Sequence, residues 1–239
     1  MKKLMALLLT LGCLLALCGC KPSNPVNTTP EPQKDDQSAQ TQSVETIAPE
    51  ATEAMETAVI MPLPVSFDIA NPEDSIVAVS LEKGKFYTDK NGTVMMDVTV
   101  YVYDQYDMAA IAGMKEGDTL TLCKEEILIS SLKREDGKVL INGGLDNGGI
   151  ELRTDDDTLY YACGYSDVKS YYELGKVSLP VSADFVFSDT SDLDKGEQTF
   201  RAEDFLNEAE GIDYHFDANN TTIRIEGGQV VAMERVYTP

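Results

Sequence analysis

The sequence has no tryptophan and a single histidine, His215. One histidine removes the His-Glu-x-x-His zinc signature and any site that needs two imidazoles. It leaves Ser-His-Asp chemistry to that residue alone, and no Gly-x-Ser-x-Gly elbow is there to raise a nucleophile. His215 stands in Asp213-Tyr214-His215-Phe216-Asp217 and reads as a surface or strand histidine. Without tryptophan the best sugar-stacking ring is missing, and tyrosine must serve for aromatic contact. Basic residues are few: 19 against 41 acidic ones, a formal net charge of −22. Such a chain repels nucleic acid and anionic lipid head groups. Nucleic acid is therefore excluded as a partner. The plain reading of the charge is a solvated acidic surface; the functional one is a cation or a basic peptide.

What is present begins with a short basic start, Met1-Lys2-Lys3, and an apolar run from Leu4 to Leu17 broken only by Thr10 and Gly12. The run is short of the roughly 20 residues of a membrane-spanning helix and fits the core of a secretory signal. Leu17-Cys18-Gly19-Cys20 follows it. This resembles the lipobox of bacterial lipoproteins, with Gly19 at the small position before the cut and Leu17 at the branched one. The resemblance implies removal of residues 1–19 and a diacylated Cys20 at the head of the mature chain. Two acyl chains suffice for stable anchoring. It thus implies a protein held on the outer face of the cell membrane by lipid, with no transmembrane helix.

Residues 20–60 make the lipidated cysteine and a tether rich in Pro, Ser, Thr, Gln and Glu without aromatics. Such a composition cannot bury enough apolar surface to offset its ordering entropy. A flexible chain of that length spans about 35 Å root-mean-square and reaches at most roughly 135 Å. Residues 61–239 are then the folded part, one domain or two small β modules. Of five cysteines, Cys123 and Cys163 stand in the folded part. An oxidising compartment permits a bridge between them, and two buried thiols fit equally well. No Cys-x-x-Cys redox or zinc spacing occurs.

The dominant period is two. In Thr93 to Asp104, the valines and Met96 fall on one face and Asp97, Thr99, Tyr101 and Tyr103 on the other, a long half-buried strand. Asn91-Gly92 before it signals a hairpin with Ser75 to Tyr87. Further strands are expected at Thr119–Cys123, Ile127–Leu132, Val139–Ile141, Ile150–Leu152, Leu159–Cys163, Val177–Val181 and Phe185–Phe187. A terminal hairpin turns at Gly227-Gly228. Short helices are expected at Asp107–Met114 and over 200–210, the second ended by Gly211. The fold class is mostly β, a sandwich or barrel-like set of antiparallel sheets with one or two short helices.

Few motifs carry chemistry. Ser130-Ser131-Leu132-Lys133 matches the Ser-x-x-Lys of penicillin-recognising enzymes, but it continues a strand, where positions three apart face opposite ways. Asp189, Asp192 and Asp194 gather oxygens in one loop. Its Gly196 falls one position short of the calcium-loop spacing and Lys195 interrupts it, so calcium is a candidate and a solvated loop the plainer reading. Tyr101 and Tyr103 are candidates for an aromatic contact face, with packing by another layer as the plain reading. Tyr160, Tyr161, Tyr165, Tyr171 and Tyr172 cluster later. No cofactor is expected, and a carboxylate pair for hydrolysis stays open.

Beyond the lipobox, Gly117-Asp118 and the ending Gly227-Gly228-Gln229…Arg235-Val236-Tyr237-Thr238-Pro239 make the chain similar to β-rich lipoprotein ectodomains of Gram-positive bacteria. That resemblance implies no activity. The expectation is a non-catalytic, surface-tethered binding or assembly module for a protein or cell-wall ligand. The alternative is an envelope hydrolase using a carboxylate pair. A ligand-capturing lipoprotein of a transporter is disfavoured, because the alternating βαβ pattern of two-lobed receptors is missing.

Overall fold

The computed structural model describes residues 56–238 except 136, 156–157 and 208–214. The expected leader, Cys20 and residues 21–55 of the expected tether lie outside the described residues, as does Gly211. The chain runs through β1 (Val59–Ile60), β2 (Ser75–Ser80), β3 (Phe86–Thr88), β4 (Val94–Tyr103), β5 (Gln105–Asp107) and α1 (Met108–Gly113). There follow β6 (Thr119–Leu122), β7 (Glu125–Leu128), β8 (Leu132–Glu135), β9 (Lys138–Ile141), β10 (Ile150–Arg153) and β11 (Leu159–Cys163). The chain then continues through β12 (Tyr171–Thr190), β13 (Gln198–Arg201), α2 (Ala202–Asn207), β14 (Thr221–Glu226) and β15 (Gln229–Val236). The expected mostly β class is what forms.

Five strands close on one another. β2 pairs antiparallel with β4 and β14, β14 with β15, and β4 with β12. β12 and β15 run parallel. An odd number of strands cannot alternate direction all the way round, so closure needs one parallel pair. In chain order the first strand pairs with the second and fourth, and the third with the second and fifth. This is the strand order of an OB-type Greek-key barrel, a statement of architecture that carries no ligand. β3 and β13 extend the sheet at its two ends.

β4 follows its alternation, burying Met96, Val98 and Val100 while Thr99, Tyr101 and Tyr103 stand half-buried on the outer face. Asp89 shapes the turn before it, accepting the Asn91 and Thr93 amides at 2.8 Å each. The run 75–87 partners β4 in two pieces, β2 and β3. The expected strands at 177–181 and 185–187 are parts of one strand, the 20-residue β12. The alternation breaks at Ser182-Ala183-Asp184 because the strand changes partner there. Through Pro180 it pairs with β4, and from Val181 on with β15, with a register shift between Val181 and Val186. The terminal hairpin forms as expected, with Gly227 and Gly228 at φ of 57° and 75°, the left-handed pair that a tight turn between twisted strands requires.

The barrel is filled by Val79, Met96, Val100, Phe185, Phe187, Ile223, Ile225 and Met233, all fully buried. Phe205 of α2 caps this core, 4.6 Å from the Phe86 ring and 5.4 Å from Phe187.

Everything between β4 and β12 is an insert with a core of its own, built on Tyr106, Ile111, Leu120, Ile129, Val139, Ile141 and Leu152. Its sheets have the orders β5-β11-β10-β9-β8 and β1-β6-β7. β1 corrects the boundary read at residue 61. Val59 and Ile60 pair parallel with Thr119 and Leu120, and Ile60 is buried in the insert core. Asp118 holds that approach, accepting the amides of Ala58 and Lys115 at 2.9 Å each. The strand expected over 127–132 is broken. Asn142 accepts the amides of Ser130 and Ser131 and donates to the Leu128 carbonyl, so the chain kinks between β7 and β8. A side chain at Gly149 would meet the Ile141 carbonyl oxygen at 2.2 Å, which is why the loop before β10 takes glycine there.

The first helix forms as read. Asp107 caps it, accepting the Ala109 amide at 2.7 Å, and Arg134 closes its far end through the Ile111 and Met114 carbonyls. Such caps satisfy backbone groups that a short helix leaves open.

Candidate functional site

The residues with most to offer a ligand stand where the chain leaves the barrel and returns to it. β4 ends in Tyr101 and Tyr103, and β12 begins at Tyr171, directly opposite Tyr103 in the antiparallel ladder. The two rings meet edge to face, 5.5 Å apart at 84°. β11 brings Tyr161 to the other side of Tyr103, at 6.0 Å and 76°. Both are the edge-to-face geometry that aromatic pairs favour over a face-to-face sandwich.

Lys169 stands in the middle of these rings. The short loop from Cys163 to Lys169 closes on itself, with Gly164 donating to the Val168 carbonyl at 2.7 Å. Ser166 and Asp167 take left-handed backbone at φ of 59° and 63°, a conformation that costs a non-glycine residue about 1 kcal/mol or more. The loop delivers the Lys169 ammonium to 4.5 Å from the Tyr103 ring centre and 4.9 Å from that of Tyr161. It donates to the Tyr103 hydroxyl at 3.2 Å and pairs with Asp155 at 3.4 Å. The Tyr161 hydroxyl donates to the same carboxylate.

The electrostatics follow. Burial works against the charge of Lys169, but its bond to Tyr103 and the nearby Asp155 outweigh it and raise its pKa above the ordinary lysine value. Burial pushes the Tyr161 phenol well up, and the Asp155 carboxylate pushes it further. Burial also raises Tyr171, opposed by Lys169. At neutral pH Lys169 is therefore protonated, and the phenols of Tyr161 and Tyr171 are neutral.

Two depressions flank the cluster and share Tyr101, Lys169 and Tyr171. One, of 320 Å³, is walled by the segment Leu63–Phe67 and by Ile76. The other, of 540 Å³, opens toward Tyr165, Asp217 and Asn219. Both volumes lie in the roughly 300–1,000 Å³ range of small-molecule sites. Tyr101 and Tyr103, named from the sequence, are thus brought together at the site, and Tyr161, Tyr165 and Tyr171 of the later tyrosine cluster join them. Lys169 and Asp155 were missed. Neither has a local signal; the Cys163–Lys169 loop brings in Lys169, and the connection from β10 to β11 brings in Asp155.

A third depression, of 380 Å³, is lined by Glu82, Lys85, Asp97 and Lys176. Asp97 there is held by Lys85 at 3.8 Å and by the Tyr87 hydroxyl at 3.2 Å.

The remaining candidates go elsewhere. Asp189, proposed for calcium, spends its oxygens on Arg235 and Ser191. It forms a buried ion pair with the guanidinium, 3.0 Å from Arg235 Nε, and accepts the Ser191 hydroxyl at 2.7 Å. Asp192 pairs with Lys195 at 3.0 Å, and Asp194 is exposed. The three do not converge. Among the described residues no group of three or more His, Cys, Asp or Glu side chains could hold a metal ion. Cys123 and Cys163 are free thiols. Cys123 lies in the turn between β6 and β7 with its sulfur 4.0 Å from the Ser170 carbonyl, while buried Cys163 contacts the Glu151 carbonyl at 3.6 Å. Ser130 donates to Asn142, and Lys133 pairs with Glu135, so they form no Ser-Lys dyad. His215 is exposed, 3.7 Å from Asp217. No known family model, no curated protein and no solved structure matches the chain.

Proposed function

We propose that this protein is a lipoprotein anchored on the outer face of a cell membrane through Cys20, and that its folded domain is a non-catalytic binding module. The observation that carries the binding reading is the tyrosine–lysine cluster between two depressions. Its rings stand on or beside strands and lock one another edge to face, so the surface is preorganised and costs little entropy on contact. A phenol ring presents an apolar face and a polar edge at once, which suits a contact surface open to water. For the anchor, among the described residues no helix is long and apolar enough to cross a membrane. The apolar leader and lipobox are what support attachment by lipid.

The hydrolase reading would draw on the depression that holds Glu82 and Asp97. Binding without turnover is favoured because Asp97 is already engaged by a lysine and a phenol. The test is co-sedimentation of the intact protein with isolated cell envelopes, with chromogenic glycosides assayed in parallel. Retention on envelopes should drop for Tyr101→Ala combined with Tyr171→Ala, with no glycoside turnover in any form. Turnover abolished by Asp97→Asn would replace the binding reading with the hydrolase. For the anchor, fatty-acid labelling should vanish in Cys20→Ser.

A further inference from the structure

Resting on that binding face, we propose that its ligand is an uncharged, hydroxyl-rich glycan chain, laid from the 320 Å³ groove past Tyr171 into the 540 Å³ depression. Charge decides against the other classes. A cationic ligand would seek ring faces, but those of Tyr103 and Tyr161 already face the Lys169 ammonium, which lines both depressions beside Tyr101 and Tyr171 and repels a second cation there. An anionic ligand would seek that ammonium, but Asp155 meets it at 3.4 Å, and the chain around it carries a net charge of −22. A wholly apolar ligand would cover Ser170, Asp217 and Asn219 and take from water the polar capacity that the Asn219 amide–Asp217 bond leaves open, at a desolvation cost.

A neutral sugar chain answers every group on the face. Its hydroxyls both donate and accept, matching the carboxylate of Asp217, the amide of Asn219 and the hydroxyl of Ser170. Its C–H faces suit the rings of Tyr101, Tyr165 and Tyr171. Tyr165 is 70% exposed, with its hydroxyl tied to the Leu145 carbonyl at 3.1 Å, so its ring is held in place yet open to solvent. Because the two depressions share Tyr101, Lys169 and Tyr171, the contact surface is continuous and fits several linked rings rather than one.

The test is isothermal titration of the full-length protein in a sugar-free detergent. Cellohexaose, xylohexaose, mannohexaose and chitohexaose are the neutral probes, and polyglutamate and polylysine the charged ones. Wild type, Tyr165→Ala, Tyr165→Phe and Tyr171→Ala are compared, with circular dichroism to check folding. The expected result is saturable binding of a neutral probe, weakened about ten-fold by Tyr165→Ala, the scale of one lost ring contact, and weakened less by Tyr165→Phe, which keeps the ring and loses only its tie to Leu145. Silence with every neutral probe overturns the glycan assignment. Binding of a charged polymer that both alanine variants abolish also overturns it, while leaving the face standing. Neutral-probe binding that ignores both alanine variants overturns the face itself.

Discussion

All seven phenylalanines pack in or against the barrel core, whereas the insert closes on aliphatic side chains with the ring of Tyr106 inside and that of Tyr160 against it. The barrel strands converge from every side on one interior, and large rings fill it: Phe187 contacts Phe200, Phe205 and Phe216 at 5.4–5.7 Å. The insert's shorter strands leave room for Ile, Leu, Val and Met. Tyrosine takes the ground between the two. Eight of the eleven fall between Tyr101 and Tyr172, where the chain crosses from one core to the other and each ring needs an apolar body and a polar tip. The tyrosine–lysine cluster is therefore a product of the join. Its rings come from the barrel strands β4 and β12 and from the insert strand β11, and neither region alone assembles it.

The largest effects come from opening each core separately. Phe187→Ala should cost about 3–5 kcal/mol and Leu152→Ala about 2–5 kcal/mol, read by chemical denaturation. Hydrogen exchange should then speed first along β12 and β15 for the former and along β9 and β10 for the latter. Equal acceleration everywhere in both variants would make the two cores one cooperative unit.

The ion pairs differ in the same way. The barrel's Asp189–Arg235 pair is fully enclosed, with the guanidinium 4.6 Å from the centre of the Phe216 ring. Asp189→Asn should cost about 3 kcal/mol, since it takes the carboxylate from a buried guanidinium. In the insert, buried Glu151 is shared by Arg153 and Lys138. Burial alone would raise both acids, but their cationic partners outweigh it and hold both pKa values below the ordinary carboxylate range. A depressed folded-state pKa gives stability that is present above the unfolded value, about 4, and lost as pH falls through the folded one. Denaturation midpoints should therefore drop as the pH falls below about 4. Asp189→Asn should flatten that fall in the barrel and leave the insert's share.

A smaller effect concerns the approach to the insert. Asp118→Ala removes the acceptor for Ala58 and Lys115, so limited proteolysis should gain cuts around Val59–Leu63 while β10 stays protected. The smallest is chemical. Maleimide should label half-buried Cys123 well before buried Cys163, both slowly, because burial raises each thiol's pKa and lowers its thiolate fraction. Equal labelling would mean that the insert opens readily.

Local pattern decided more of the barrel than of the site. The alternation through Val94–Tyr103, the Asn91-Gly92 turn, the Gly227-Gly228 hairpin and the Asp107-capped helix are each made by residues close in sequence, whose period and backbone preferences act over a few positions. So is the orientation of Tyr101 and Tyr103 away from the barrel core, because alternate residues of a strand face opposite ways. The strand through Ser182-Ala183-Asp184 was illegible for the opposite reason. A change of partner leaves exposed residues inside a continuous strand, which reads as a break.

The acidic, mostly β character of the folded part, the outward face of β4 and the supply of tyrosines follow from composition and period alone. Only the tertiary structure decided that Val59–Ile60 belong to the fold and that Asp189 is spent on Arg235. It also decided that Lys169 and Asp155 sit among the rings. Each of these is a pairing across at least 14 positions of chain, from Asp155 and Lys169 to Val59 and Thr119. Composition and period record what a residue prefers nearby; which distant residue meets it is settled by closure of the barrel and return of the insert.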